Sequence, residues 1–150
     1  MTITAHDTIV FERCFVAPLP MLYKAFMDPV ARCRWGAPSP TAVIIYDQED
    51  FRVGGRDLSR CGSKDDPRFH VEATYLDIVP ESRIVYSEAV TEGGKRLSAA
   101  LHTIEMKSTD GQSSLRITVQ IAAFDGAAMA DGVRHGFRAA LDNLTRELAG

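Results

Sequence analysis

The chain of 150 residues has few cysteines and no arrangement of them that suggests a cross-linked or metal-stapled protein. Cys14, Cys33 and Cys61 are odd in number and widely spaced, and no C-x-x-C pair occurs. This pattern argues against a disulfide framework and against a zinc site. We therefore expect reduced thiols and a cytoplasmic location.

The sequence also lacks the short motifs that assign an enzyme class directly. It contains no G-x-S-x-G, Walker loop, H-E-x-x-H or dinucleotide fingerprint. Its four histidines are too far apart to suggest a ligand set, so we expect no metal and no cofactor. They are His6, His70, His102 and His135.

Charge and hydropathy exclude two further classes. The formal net charge is -3 and the sequence pI is about 5.8, which gives no electrostatic footprint for a nucleic-acid partner. The N-terminal segment from Met1 to Asp7 is polar and short, and no apolar run is long enough to span a bilayer. We expect neither a signal peptide nor membrane insertion.

What the sequence does contain is a long amphipathic helix near its end. From Gly132 to Leu148 the apolar residues recur every three or four positions, which puts them on one face. Such a face requires an apolar surface to cover it. The strands predicted at 69–79, 83–90, 99–107 and 113–122 provide one. A length of 150 residues is consistent with one domain, residues 1–150.

The remaining elements predict an α+β fold with a mostly antiparallel sheet. We expect a first strand over 8–16, two short helices over 21–27 and 30–35, and a strand over 41–46. A third strand is predicted from Phe51 across Gly54 and Gly55 to Arg60. The polar segment 62–67 is predicted to be a loop.

These elements, with several short motifs, resemble the START-like, helix-grip superfamily known as SRPBCC, and within it the AHSA-type branch named after the activator of the heat-shock-protein ATPase. The resemblance covers nearly the whole chain. It departs from the family at Phe137, where tryptophan is frequent, and in having only Trp35 where two tryptophans are common. The motifs that carry it are Phe11-Glu12-Arg13, Ala17-Pro18, Ala25-Phe26, Asp28-Pro29, Arg34-Trp35-Gly36, Asp50-Phe51-Arg52-Val53-Gly54-Gly55, Tyr75-Leu76-Asp77-Ile78-Val79-Pro80, Arg83-Ile84-Val85-Tyr86 and Gly136-Phe137.

The resemblance implies a curved antiparallel sheet of about seven strands wrapped around the C-terminal helix, with two short helices after strand 1. It also implies an apolar cavity between sheet and helix. The residues expected to line this cavity are aromatic, apolar or ionisable side chains on the elements around it. They are Phe26, Trp35, Phe51, His70, Glu72, Tyr86, His102, Ile104, Val133 and Phe137.

The direction of the ionisable side chains is left open by the pattern. His102 shares a face with Ile104, but both faces of strand 69–79 are partly apolar. A Glu72–His102 or a His70–Glu88 pair would shift the pKa values of both partners. For the charged pair Asp50 and Arg52 we favour a structural role, in which a carboxylate binds backbone N–H groups of the turn.

Three functions remain open. The leading hypothesis is a binding protein for a small apolar or amphipathic molecule. The second is a cyclase- or hydrolase-type enzyme that uses His102, Glu72 or Tyr86 as acid–base groups. The third is an interaction with a chaperone, which the resemblance suggests. The sequence leaves homodimerisation open.

Overall fold

Seven strands form one antiparallel sheet in the computed structural model, which describes residues 3–150. Met1 and Thr2 of the polar N-terminal segment lie outside the described residues. The strand order is β1-β7-β6-β5-β4-β3-β2, so the two edge strands are the first and second in sequence. The strands are β1 Ala5–Phe15, β2 Ala42–Gln48, β3 Arg56–Ser63, β4 Asp66–Val79, β5 Arg83–Glu92, β6 Lys95–Thr109 and β7 Gln112–Ala123.

Three helices complete the fold, and the predicted helix-grip architecture is confirmed. Two short helices, α1 Leu19–Met27 and α2 Pro29–Gly36, connect β1 to β2, and the long helix α3 spans Ala128–Ala149. Asp28 separates the two short helices. Its backbone N–H donates to the carbonyl oxygen of Lys24 at the end of α1, and its carboxylate accepts a hydrogen bond from the N–H of Val30 at the start of α2. An aspartate before Pro29 is a favourable start for a helix, because the proline needs no hydrogen-bond partner at that position.

The third strand begins later than the sequence predicts. Gly54 and Gly55 lie in a turn before β3, and Gly54 has φ +83°. A Cβ on Gly55 would lie 2.2 Å from the backbone oxygen of Asp50, so the turn closes too tightly for any side chain there. The paired glycines therefore mark a tight turn and not a bend inside a strand.

The segment predicted to be a loop at 62–67 is mostly strand. β3 continues to Ser63 and β4 begins at Asp66, which leaves only two turn residues between them. Gly62 (φ +130°) accompanies a register irregularity in this hairpin, and the strands include most of the polar residues that were predicted to form a loop.

The hydrophobic core divides α3 into two halves. Leu141 and Leu144 in its second half have no exposed surface and belong to the main core cluster. Val133 and Phe137 in its first half are only partly buried. The amphipathic stripe predicted from the sequence therefore has a core half and a half that covers a cavity.

A β-bulge in β4 decides which of its side chains face the core. The pairing with β5 shifts between Tyr75 and Asp77. An inserted residue reverses the alternation of a strand. Tyr75 is therefore buried, and Ile78, three positions later, packs against the core, while Leu76 between them is exposed.

Candidate functional site

A cavity of about 500 Å³ lies between the concave face of the sheet, α2 and the first half of α3. Most of its lining is apolar or aromatic, and a few ionisable side chains interrupt it. Seven residues expected at the cavity from the sequence line it: Phe26, Trp35, Phe51, Tyr86, Ile104, Val133 and Phe137.

Two predicted cavity residues, His70 and Glu72, are on the wrong face of the sheet for that role. Both are exposed, and Glu72 forms an ion pair with Arg56 on the outer surface. The inward set of β4 is Phe69, Val71, Ala73 and Tyr75, all of which line the cavity. Leu76 and Ile78 made the other face look apolar in the sequence, but the bulge separates them.

His102 faces the inner side of the sheet, an orientation that the sequence left open, but it does not line the cavity. It is 1% exposed, its ring stacks on Tyr86 at 4.6 Å with an interplanar angle of 11°, and Phe137 covers it from α3 at 5.8 Å. The register explains the stack, because Tyr86 and His102 are direct neighbours on β5 and β6.

Neither anticipated histidine–carboxylate pair forms, because His70 and Glu72 face outward. Instead Glu88 pairs with His102, with Nε2 of the imidazole 3.3 Å from Oε1 of the carboxylate. The angles do not meet those of a hydrogen bond, and both ring nitrogens of His102 are buried without a hydrogen-bond partner among residues 3–150. The two groups are therefore close enough for an ion pair but are poorly aligned for a hydrogen bond.

Glu88 itself lines the cavity, and its side chain is 22% exposed. Burial acts to raise the pKa of this carboxyl, but the neighbouring His102 outweighs burial and lowers the pKa below its ordinary value. Glu88 is thus a carboxylate at neutral pH, directed into a largely apolar space.

A second ionisable cluster, which the sequence reasoning missed, joins α2 to the sheet. Nη1 of Arg32 donates to Oδ2 of Asp57 at 2.9 Å and to the hydroxyl of Tyr75 at 3.1 Å, and the same hydroxyl donates to Asp57 at 2.5 Å. Asp57 is 4% exposed. Its other oxygen accepts the backbone N–H of Asp50 at 2.9 Å. The buried carboxylate therefore has three donors.

The guanidinium of Arg32 is also covered by an aromatic ring. Its central carbon lies 4.8 Å from the centroid of Tyr46, a cation–π arrangement. Burial raises the pKa of Tyr46 to about 12, although the charge of Arg32 opposes the shift. Burial likewise raises the pKa values of Tyr75 and Tyr86. These hydroxyls therefore remain protonated at neutral pH.

The structural role expected of Asp50 is performed by Asp57. Asp50 binds Arg52 on the surface, whereas Asp57 accepts the backbone N–H that holds the turn. The signal for Asp57 was present in the sequence, because it alternates with Ser59 and Cys61, which also line the cavity. Its partner Arg32 lies on α2 and was not separable from the surface arginines by spacing alone.

The cavity thus has a largely apolar lining with two separate ionic groups, the Arg32–Asp57 pair and Glu88. Arg32 and Asp57 form one ion pair, while the ion-pair partner of Glu88 within residues 3–150 is His102. The acid–base set His102, Glu72 and Tyr86 does not assemble, because Glu72 lies on the outer face.

Both the sequence and the structure of this chain are similar to those of known proteins. The family described as "Activator of Hsp90 ATPase homolog 1-like protein" matches residues 16–149. The chain belongs to this family. The resemblance inferred from the short motifs is thereby confirmed.

Solved structures of similar proteins have the same fold over nearly their whole length. A protein from Rhizobium loti is 34% identical, with a TM-score of 0.86, and the match covers 97% of this chain and 99% of that one. A protein from Rhizobium leguminosarum is 29% identical, with a TM-score of 0.85, covering 99% and 98%. One from Chromobacterium violaceum is 26% identical, with a TM-score of 0.83, covering 96% and 98%.

No curated protein sequence gives a significant match to this chain. Within residues 3–150, no helix combines the length and the apolar character that crossing a membrane requires.

Proposed function

We propose that this AHSA-type domain binds a small, mostly apolar molecule in the cavity beneath α3. The observation that carries the proposal is the cavity itself: about 500 Å³ of space between sheet and helix, lined by aromatic and aliphatic side chains with few polar groups. Pockets that hold small organic ligands have this size and this composition.

The small residues around the cavity support the same conclusion. Gly132 and Gly136 are one helical turn apart on α3, and both line the cavity. A Cβ placed on either residue would meet no atom within 4 Å. The backbone therefore has room for a Cβ at both positions, and glycine at each adds that room to the cavity.

The test is a thermal-shift screen of fatty acids, flavonoids and polyketide-like aromatics against three proteins. Gly136→Trp places a large ring in the cavity, and Arg138→Trp places the same ring on the exposed side of the same helix as the matched control. We expect compounds that raise the Tm of the wild type to act equally on Arg138→Trp and to have no effect on Gly136→Trp. Circular dichroism checks that both variants are folded.

Two results would contradict the proposal. One is that no compound raises the Tm of the wild type. The other is that the shifts persist undiminished in folded Gly136→Trp, because the compounds would then bind elsewhere.

A further inference from the structure

The carboxylate of Glu88 lies at the cavity between two small cross-strand neighbours. Glu88 lies on β5, and its direct cross-strand neighbours are Ala73 on β4 and Ala100 on β6. Side chains opposite each other on adjacent strands normally fill the space between them. The two alanines flanking Glu88 add little side-chain bulk beside the carboxylate, and on the β4 side both Ala73 and Glu88 line the cavity.

The carboxylate has unused capacity to accept hydrogen bonds. An ionised carboxylate offers about four acceptor positions. The ion-pair partner of Glu88 within residues 3–150 is His102, a diagonal neighbour on β6 that does not line the cavity. The exposed part of the side chain faces the largely apolar cavity. A buried charge of this kind is stable only when donors or a counter-charge reach it.

The other ionic group at the cavity, Arg32, makes a poorer site for a ligand. Its charge is neutralised by Asp57, and the ring of Tyr46 lies against the guanidinium. Its unpaired nitrogens, Nε and Nη2, are completely covered by protein atoms. An anionic ligand would have to displace this packing before it could reach them.

Aromatic side chains provide a second element of recognition close to Glu88. Tyr86 is two positions away on the same strand face, and Tyr46 and Phe137 also line the cavity. Aromatic faces attract organic cations, and the attraction increases when water is excluded. A carboxylate among such rings therefore favours a positively charged donor over an anion.

We propose that the ligand of this cavity carries a protonated amine, which binds Glu88, and that its apolar body fills the aromatic space towards α3. This inference rests on the proposed function, because it names the chemical class of the molecule that the cavity holds. A ligand of this class provides the hydrogen-bond donor that the carboxylate lacks and places a positive charge on its cavity side.

The experiment compares three probes that share one apolar body and differ in one polar group. They are 2-naphthylmethylamine, which is a cation at neutral pH, 2-naphthylmethanol, which is neutral, and 2-naphthoate, which is an anion. Calorimetric titration measures the Kd of each for the wild type, for Glu88→Gln and for Glu72→Gln. The last is a matched control, because Glu72 is a glutamate on the outer face of the adjacent strand.

We expect the amine to bind the wild type at least tenfold more tightly than naphthoate, which corresponds to about 1.4 kcal/mol. Glu88→Gln should weaken the amine about tenfold and leave the neutral alcohol within twofold. Glu72→Gln should change none of the three affinities.

Different outcomes separate the two proposals. If the alcohol binds but naphthoate binds as tightly as the amine, or if Glu88→Gln leaves the amine's affinity unchanged, the cation proposal is wrong and the cavity proposal stands. If none of the probes binds the wild type, and Gly136→Trp and the wild type respond alike in the ligand screen, the proposed function is wrong. The cation proposal, which rests on it, is then wrong as well.

Discussion

At the scale of single residues, the buried Asp57 connects the site to the stability of the fold. It accepts from Arg32 on α2, from Tyr75 on β4 and from the backbone of the turn before β3. Because desolvating a charge costs several kcal/mol, such a carboxylate is tolerated only while its donors remain in place. The Arg32–Asp57 ion pair must therefore form when α2 packs over the cavity. Its net contribution to the free energy of unfolding is small when both partners are present.

A double-mutant cycle on this pair tests that interpretation. Asp57→Asn keeps the shape but leaves the Arg32 charge buried without its partner, and we expect a loss of about 3–5 kcal/mol in the free energy of unfolding. Arg32→Met alone should also destabilise, because it removes the counter-charge of Asp57. The double variant should lose less than the sum of the two, by about 1–3 kcal/mol, measured by urea denaturation. Additivity within about 0.5 kcal/mol would show that the two residues act independently.

At the scale of elements, Gly136 in α3 and Gly55 in the turn before β3 have different structural roles. Gly136 lies inside α3, where a Cβ would meet nothing within 4 Å, whereas a Cβ on Gly55 would meet the backbone oxygens of Asp50 at 2.2 Å and Arg52 at 2.9 Å. The first glycine weakens its helix and opens the cavity, and the second is required by the turn.

Alanine substitutions at the two positions should therefore change stability in opposite directions. Gly136→Ala should raise the free energy of unfolding by about 0.5–1 kcal/mol, because alanine restricts the unfolded chain and favours the helix. Gly55→Ala should lower it by about 1–3 kcal/mol, because the backbone of the turn must move. Parallel urea denaturation curves measure both, and a stabilised Gly55→Ala would contradict the steric argument.

The same elements show how far sequence reasoning reaches. The periodicity of 132–148 and the alternation of 113–122 predicted a long helix and a half-buried strand, and both are present because one strong pattern spans each element. The orientation of β4 could not be predicted, since its bulge shifts the alternation between Tyr75 and Asp77 and depends on pairing with β5.

The candidate site was predictable to a similar extent. Aromatic residues such as Trp35 and Phe137 were identified because large apolar side chains belong on the inner face. The Arg32–Asp57 and Glu88–His102 pairs were not identified, because each joins residues on different elements, and which charges meet depends on tertiary packing. Spacing along the chain carries no signal for such contacts.

At the scale of the whole molecule, stability is distributed unevenly around the cavity. The second half of α3 is fixed by Leu141 and Leu144 in the core, and the side-chain amide of Asn143 donates to the backbone oxygens of Trp35 and Ala37. The first half begins after Ala127 without a side-chain cap, and the cavity lining on α3 runs from Met129 to Ala140. A helix that covers an open space has few apolar contacts to resist local opening.

Hydrogen exchange can measure this difference directly. We expect the amides of residues 133–137 to exchange about tenfold faster than those of 141–144, because local opening of the first half leaves the core intact. The ion pair between Arg134 and Asp7 does not alter this expectation, because both side chains are more than a third exposed and such pairs contribute about 0–1 kcal/mol. A bound ligand should slow exchange at 133–137 and leave 141–144 unchanged, since α3 lines the cavity no further than Ala140. Equal protection along α3 without ligand would mean that the cavity does not weaken the helix that covers it, and that entry to the site requires opening elsewhere.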